Sequence, residues 1–171
     1  MPIGVKLTTQ DTFLTKEDIM AQTEKLSLEI KRHIKAPRER VYAAWTDPAQ
    51  MKQWFGPENV QTRNLIFDAR VGGEFRWDLV NPEGENMTIR GEYRELQPSR
   101  KIVFTWQWQD DEDWENHISI VTVDLSDWDG GTELRLTHEQ LPNEESRDGH
   151  TQGWNSVLDK LEKFFSKQLS S

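Results

Sequence analysis

Tyr93 and His138 join a titratable polar group to an inward position on an otherwise apolar strand face. A phenol or an imidazole placed there can move a proton to or from a substrate. Either can also serve a bound ligand as a hydrogen-bond handle. His138 shares its face with Leu134 and Leu136, and an imidazole in that setting is more often a satisfied core group than a catalyst. His33, His117 and His150 show no metal-ligand spacing with one another or with nearby carboxylates. Asp127-x-Asp129-Gly130 resembles the start of a calcium loop but lacks the later ligands, so it reads as a hairpin turn. No nucleophile elbow, phosphate loop or Ser-His-Asp pattern is present. No metal and no cofactor are expected. These residues describe a container rather than a reaction centre.

The elements that must hold these groups are strands. Leu26, Leu28 and Ile30 alternate with polar residues and predict a first strand, which ends at Ala36-Pro37. Two short helices follow. Val41, Ala44 and Trp45 form the inner face of the first. The second opens on Asp47-Pro48, with Gln50 placed to complete a capping box, carries Met51, Trp54 and Phe55 on one face, and stops at Gly56-Pro57.

Beyond Pro57 the period is two. Leu65 and Phe67, then Phe75, Trp77 and Leu79, then Met87, Ile89, Gly91 and Tyr93, then Ile102, Phe104, Trp106 and Trp108 predict consecutive antiparallel strands. Glu74, Arg76, Asp78, Arg90, Glu92 and Arg94 face the other way and suit cross-strand pairs. The acidic run Asp110 to Asp113 reads as a solvated loop. Between His117 and Ser126 the apolar residues change face, which predicts a bulge near Ile120. Leu134, Leu136 and His138 belong to the last strand.

Asn143 can cap a long amphipathic helix striped by Trp154, Val157, Leu158, Leu161, Phe164 and Phe165. Gly149 and Gly153 weaken its first turns, so regular helix is expected from about Gln152. The expected class is α+β: a curved antiparallel sheet of about seven strands around a long C-terminal helix, with two short helices after the first strand. A sheet with one aromatic face needs a cover, and the last helix is the only long amphipathic element.

Length and charge bound the reading. The 171 residues suit one domain, residues 26–171, behind an extension of residues 1–25 in which Thr15 and Asp18 could open a short helix. Eight Trp and seven Phe supply an aromatic core despite a mean hydropathy of −0.83. A formal net charge of −9 argues against nucleic acid and against anionic membrane surfaces. Cysteine is absent, which excludes disulfide and thiolate chemistry. No apolar run reaches the ~20 residues of a membrane span, and no signal-peptide pattern opens the chain. A cytoplasmic location is the expectation.

A family resemblance rests on short blocks in a fixed order. They are Ile34-Lys35-Ala36-Pro37, Trp45-Thr46-Asp47-Pro48, Trp54-Phe55-Gly56-Pro57, Gly72-Gly73-Glu74-Phe75 and Gly91-Glu92-Tyr93, followed by Ile102 to Trp106, Gly131 to Leu134 and Gly153-Trp154. Across about residues 26 to 168 the sequence resembles the Hsp90 ATPase activator homologue domain, within the START-like or SRPBCC superfamily that includes the Bet v 1 allergens and polyketide cyclases. The resemblance implies a helix-grip fold with a hydrophobic cavity between sheet and C-terminal helix. Relatives bind lipids, hormones or polyketides, some catalyse cyclisation, and the eukaryotic namesake acts on a chaperone.

The leading expectation is binding of a small hydrophobic or aromatic molecule by a monomer or homodimer. Phe75, Trp77, Tyr93, Phe104, Trp106, His138, Trp154 and Leu158 would line the cavity, with Trp54 and Phe55 at its mouth. The alternatives are a chaperone-associated module and, with less support, a cyclase-like enzyme using His138 or Tyr93.

Overall fold

Seven segments whose side chains alternate between buried and exposed pair into one antiparallel sheet in a computed structural model that describes residues 26–170 together with Thr15. The expected short helix that Thr15 and Asp18 would open lies outside the described residues, Thr15 apart. The strands are β1 (Leu28–Ile34), β2 (Gln61–Phe67), β3 (Glu74–Val80), β4 (Asn86–Gln97), β5 (Lys101–Trp108), β6 (Ser119–Trp128) and β7 (Gly131–Glu139). Their order is β1-β7-β6-β5-β4-β3-β2, so the first two strands form opposite edges. Two short helices, α1 (Arg38–Thr46) and α2 (Pro48–Trp54), carry the chain between those edges. The long helix α3 (Glu144–Ser170) lies across the concave face of the sheet, which is the helix-grip arrangement.

The sheet curls where its ladders are irregular. Register shifts fall between Thr62 and Asn64 in the β2–β3 pair, and between Tyr93 and Glu95 in the β4–β5 pair. Each shift adds bend and twist locally. The bulge expected near Ile120 is not there: β6 keeps continuous register with both neighbours, pairing Ile120 with Thr105 and with Glu139. The change of face has a simpler cause. Ile118 precedes the strand and is exposed, Ile120 lies on the outer face, and Val121, Val123 and Leu125 point inward.

The helix ends follow their sequence signals, with two corrections. At α2, Asp47 Oδ1 accepts the Ala49 N–H at 3.0 Å. Gln50 donates its side-chain amide to the Asp47 carboxylate at 3.2 Å, instead of closing a reciprocal capping box on the backbone. At α3, Asn143 Oδ1 accepts the Ser146 N–H at 2.8 Å, and regular helix begins at Glu144 rather than near Gln152. A glycine inside a helix costs about 1 kcal/mol relative to Ala. The Asn143 cap, worth a similar amount, and the packing of Trp154, Val157 and Leu158 on the sheet outweigh that loss.

Arg32 on β1 ties the far half of α3 to the sheet edge. Its guanidinium donates to Asp159 at 2.8 Å, Glu162 at 2.5 Å and Asn155 Oδ1 at 2.8 Å. Among the described residues no helix is long and apolar enough to cross a membrane.

Close approach of backbones fixes one position in the sheet. A Cβ added to Gly91 would lie 1.9 Å from the Thr105 carbonyl oxygen, and the Thr105 hydroxyl already accepts the Glu92 N–H at 2.9 Å. Main chain cannot yield as a flexible side chain does. Gly91→Ala should therefore lower stability by about 3 kcal/mol, the upper range of overpacking. Urea unfolding would measure it, and a loss below about 0.5 kcal/mol, the size of an ordinary surface substitution, would refute the close approach.

Candidate functional site

A groove of about 620 Å³ opens between the β3–β5 face of the sheet and the first half of α3. Its floor is indole. Trp77, Trp106 and Trp108 stand inward from β3 and β5, because alternate residues of a strand share a face. Its roof is the stripe Ser146, Gly149, His150, Gly153, Trp154 and Val157 on α3. Phe55 and the segment from Pro57 to Val60 form one side.

The other side comes from the acidic loop. Asp111 accepts the Asp113 N–H at 3.0 Å and caps a 3-10 turn (Glu112–Trp114). That turn folds Trp114 inward until it is buried, with its carbonyl held by the Gln107 side chain at 2.8 Å. Asp110, Glu112 and Asp113 are exposed, in line with a solvated loop, whereas Asp111 is half-buried and lines the groove with Asp113.

Two histidines organise the floor and roof, and hydrogen-bond accounting assigns their protons. His150 Nε2 lies 3.2 Å from Trp106 Nε1 and 3.0 Å from Trp108 Nε1. Indole nitrogens only donate, so His150 Nε2 accepts from both and carries no proton. Its Nδ1–H donates to the Ser146 carbonyl at 2.7 Å.

His138 has the opposite tautomer. Trp154 Nε1 donates to His138 Nδ1 at 3.0 Å, so the proton sits on Nε2, which faces Ser119 Oγ at 2.7 Å. Ser119 in turn donates to the Trp106 carbonyl at 2.7 Å. The two rings meet edge to face at 5.0 Å. Burial holds the pKa of His138 well below the usual imidazole value, and the neighbouring His150 lowers it further. Burial also lowers that of His150, against the raising effect of its bond to Ser146.

Of the ten residues expected to form the cavity, Phe55, Trp77, Trp106 and Trp154 line the groove. Phe75, Tyr93, Phe104 and Leu158 pack in the core beneath it. Trp54 is wholly buried, with its indole N–H on the Ala44 carbonyl at 3.1 Å, so it supports the rim from behind instead of forming it. His138 is wholly buried behind Trp106 and Trp154. Tyr93 packs between Phe75 and Phe104, and its burial, with Asp68 and Tyr42 adding to it, raises its pKa and keeps the phenol neutral. Neither acid-base candidate touches the groove.

Sequence reasoning missed His150 and Trp114. A helix begun at Asn143 would have exposed the first, since His150 and Trp154 are four residues apart on one face. No local signal marks the second.

The buried neutral histidines link stability to pH. Above about pH 6.5 neither folded nor unfolded imidazole binds its proton. Below it the unfolded chain takes up protons that folded His138 and His150 refuse, so stability falls as pH drops toward their folded pKa values. The slope for His138 should approach about 1.4 kcal/mol per pH unit, with a smaller addition from half-buried His150. Urea midpoints at pH 7.5 and 5.5 measure it. His138→Gln should flatten the difference, and equal midpoints for the unaltered protein would contradict the assignment.

The fold recurs among solved structures. A protein of Chromobacterium violaceum superposes with a TM-score of 0.73 at 28% identity, over 82% of this chain and 96% of that one. The AHSA1 protein of Silicibacter pomeroyi gives 0.74 at 28%, over 83% and 99%. A putative uncharacterized protein of Rhizobium leguminosarum gives 0.72 at 27%, over 82% and 94%. Among curated proteins none matches. The family model described as Activator of Hsp90 ATPase homolog 1-like protein matches residues 35–166, from the end of β1 through most of α3. The chain belongs to that family.

Proposed function

We propose that this protein binds a small, ring-bearing apolar molecule in the groove between sheet and α3. The observation that carries the reading is a space of about 620 Å³ walled by Phe55, Trp77, Trp106, Trp108, Trp114 and Trp154. Ligand sites commonly enclose about 300–1,000 Å³, with apolar and aromatic walls and few polar groups. Small residues on α3 keep this one open: a Cβ added to Gly149 or Gly153 would meet nothing within 4 Å. The groove is space left by residue choice rather than by loose packing. A cyclase-like role finds less support, because His138 and Tyr93 lie away from the groove. The family description keeps a second reading in view, association with Hsp90, for which the ATPase rate of Hsp90 with and without the protein is the direct assay.

Titration of a panel of naphthalene-, indole- and sterol-type compounds against intrinsic tryptophan fluorescence tests the groove reading. Quenching or a spectral shift is expected, because indoles form most of the wall. Gly153→Leu should fill the space and weaken the best ligand by roughly tenfold or more, the worth of about 1.4 kcal/mol, while leaving the folded structure intact. A flat response across the panel, or unchanged affinity in Gly153→Leu, would overturn it.

A further inference from the structure

Among the described residues the groove's own lining carries charge of one sign, while Lys160 donates to the Gly56 carbonyl at 3.0 Å just outside it. Four of its lining residues are carboxylates: Glu58, Asp111, Asp113 and Glu145. Among the described residues no lysine or arginine lines it. Its single imidazole, His150, has Nε2 occupied by two indole donors and its Nδ1–H on the Ser146 carbonyl, so it presents neither a positive charge nor an open donor. Among the described residues, Glu58 faces Lys163 at 3.9 Å, with both side chains largely exposed, and Asp113 accepts from the Asn143 amide at 3.2 Å. Neither contact places a cation among the lining residues.

The walls add to the same preference. Trp106 and Trp108 spend their N–H groups on His150, Trp154 spends its own on His138, and Trp77 donates to the Thr62 hydroxyl at 3.0 Å. Those indoles therefore offer a ligand no donor; the π surface open at the groove comes mainly from half-buried Trp108, since Trp77, Trp106 and Trp154 are each 3% exposed. An indole face attracts a cation through its quadrupole, more strongly where water is excluded. An anionic or acceptor-rich ligand would meet carboxylates and π faces, and would leave its own charge unpaired in a partly dry site. With a formal net charge of −9, the whole molecule also attracts cations rather than anions.

Resting on the groove reading above, we infer that the ligand is an apolar cation: a hydrocarbon or aromatic body bearing an ammonium or quaternary ammonium group. The body lies against Trp77, Trp106 and Trp154. The charged end lies toward Trp108, Trp114 and the carboxylates of Asp111, Asp113 and Glu145.

Three probes that share a naphthalene body and differ in the charge of the attached group separate this inference from the groove reading beneath it. They are (2-naphthylmethyl)trimethylammonium, 2-naphthylmethanol and 2-naphthoate, titrated calorimetrically into the full chain at low and at raised salt. The cation should bind about tenfold tighter than the alcohol, the scale of a partly desolvated cation–π contact plus rim charge. The carboxylate should bind weakest, and salt should narrow the gap. In the triple variant Asp111→Asn, Asp113→Asn, Glu145→Gln, the cation should lose most of its advantage while the alcohol keeps its affinity, which also reports an intact groove. Equal binding of all three probes, or tightest binding of the carboxylate, overturns the charge preference and leaves the groove reading standing. Binding of none overturns both.

Discussion

A buried indole N–H must find an acceptor or cost about 1–3 kcal/mol, and three tryptophans of this core solve that problem with two imidazoles. Trp154 donates to His138, His138 to Ser119, and Ser119 to the Trp106 carbonyl, so one chain of donors runs from α3 through β7 and β6 to β5. His150 takes the Trp106 and Trp108 protons and hands its own to its helix at Ser146. Each link works with one tautomer only. A rotation of α3 by one residue would strand several donors at once, so the network sets the helix register where hydrophobic contact alone would tolerate sliding. Among the described residues Trp45 marks the exception: its Nε1 is buried without a partner, and its ring meets that of Trp54 edge to face with centroids 4.8 Å apart.

That fixed helix covers the sheet unevenly. Toward its C-terminus, Leu161 and Phe165 seal the core and Arg32 clamps Asp159 and Glu162 to β1. Toward its N-terminus, the small residues Ser146, Gly149, Gly153 and Ser156 stand between the larger His150, Trp154 and Val157. A helix at constant height over a curved sheet needs large side chains to fill the gap. Where they are absent the gap persists. The indoles across from it are pinned by His150 and cannot collapse into the space without abandoning their acceptor.

The same logic explains what was legible in the sequence. The sheet, the inward rings and the two short helices could be read because strand alternation and the Asp47-Pro48 and Gly56-Pro57 signals are local. The start of α3 was misjudged because helix propensity is a weak prior that packing overrides, and two glycines that weaken a helix in isolation here supply clearance. His150 was hidden by that error, since a histidine outside a helix has no face to point. Trp54 and Phe55 are adjacent and look equivalent, yet one backs the rim while the other lines the groove: Trp54 turns back onto the Ala44 carbonyl of α1, and Phe55 packs on Phe67, Phe75 and Trp77 of β2 and β3. Ile120 suggested a bulge because hydrophobicity was read as direction, whereas the ladder shows an apolar residue on the outer face.

The donor network also limits what the groove can offer a guest. Polar selectivity in a pocket comes from unpaired donors and acceptors held at fixed positions. Here the donors of the floor and roof are already consumed, and they are consumed in holding the walls apart. A guest that took an indole N–H would leave His150 short of a donor or His138 short of its Trp154 contact, undoing part of what keeps the space open. Under the binding proposed above, fixed polar recognition would fall to the rim, to Asn59, Gln152 and the carboxylates, while the interior would contribute shape and π surface. Interior hydrogen bonding secures the walls, and under that proposal the rim would distinguish among guests.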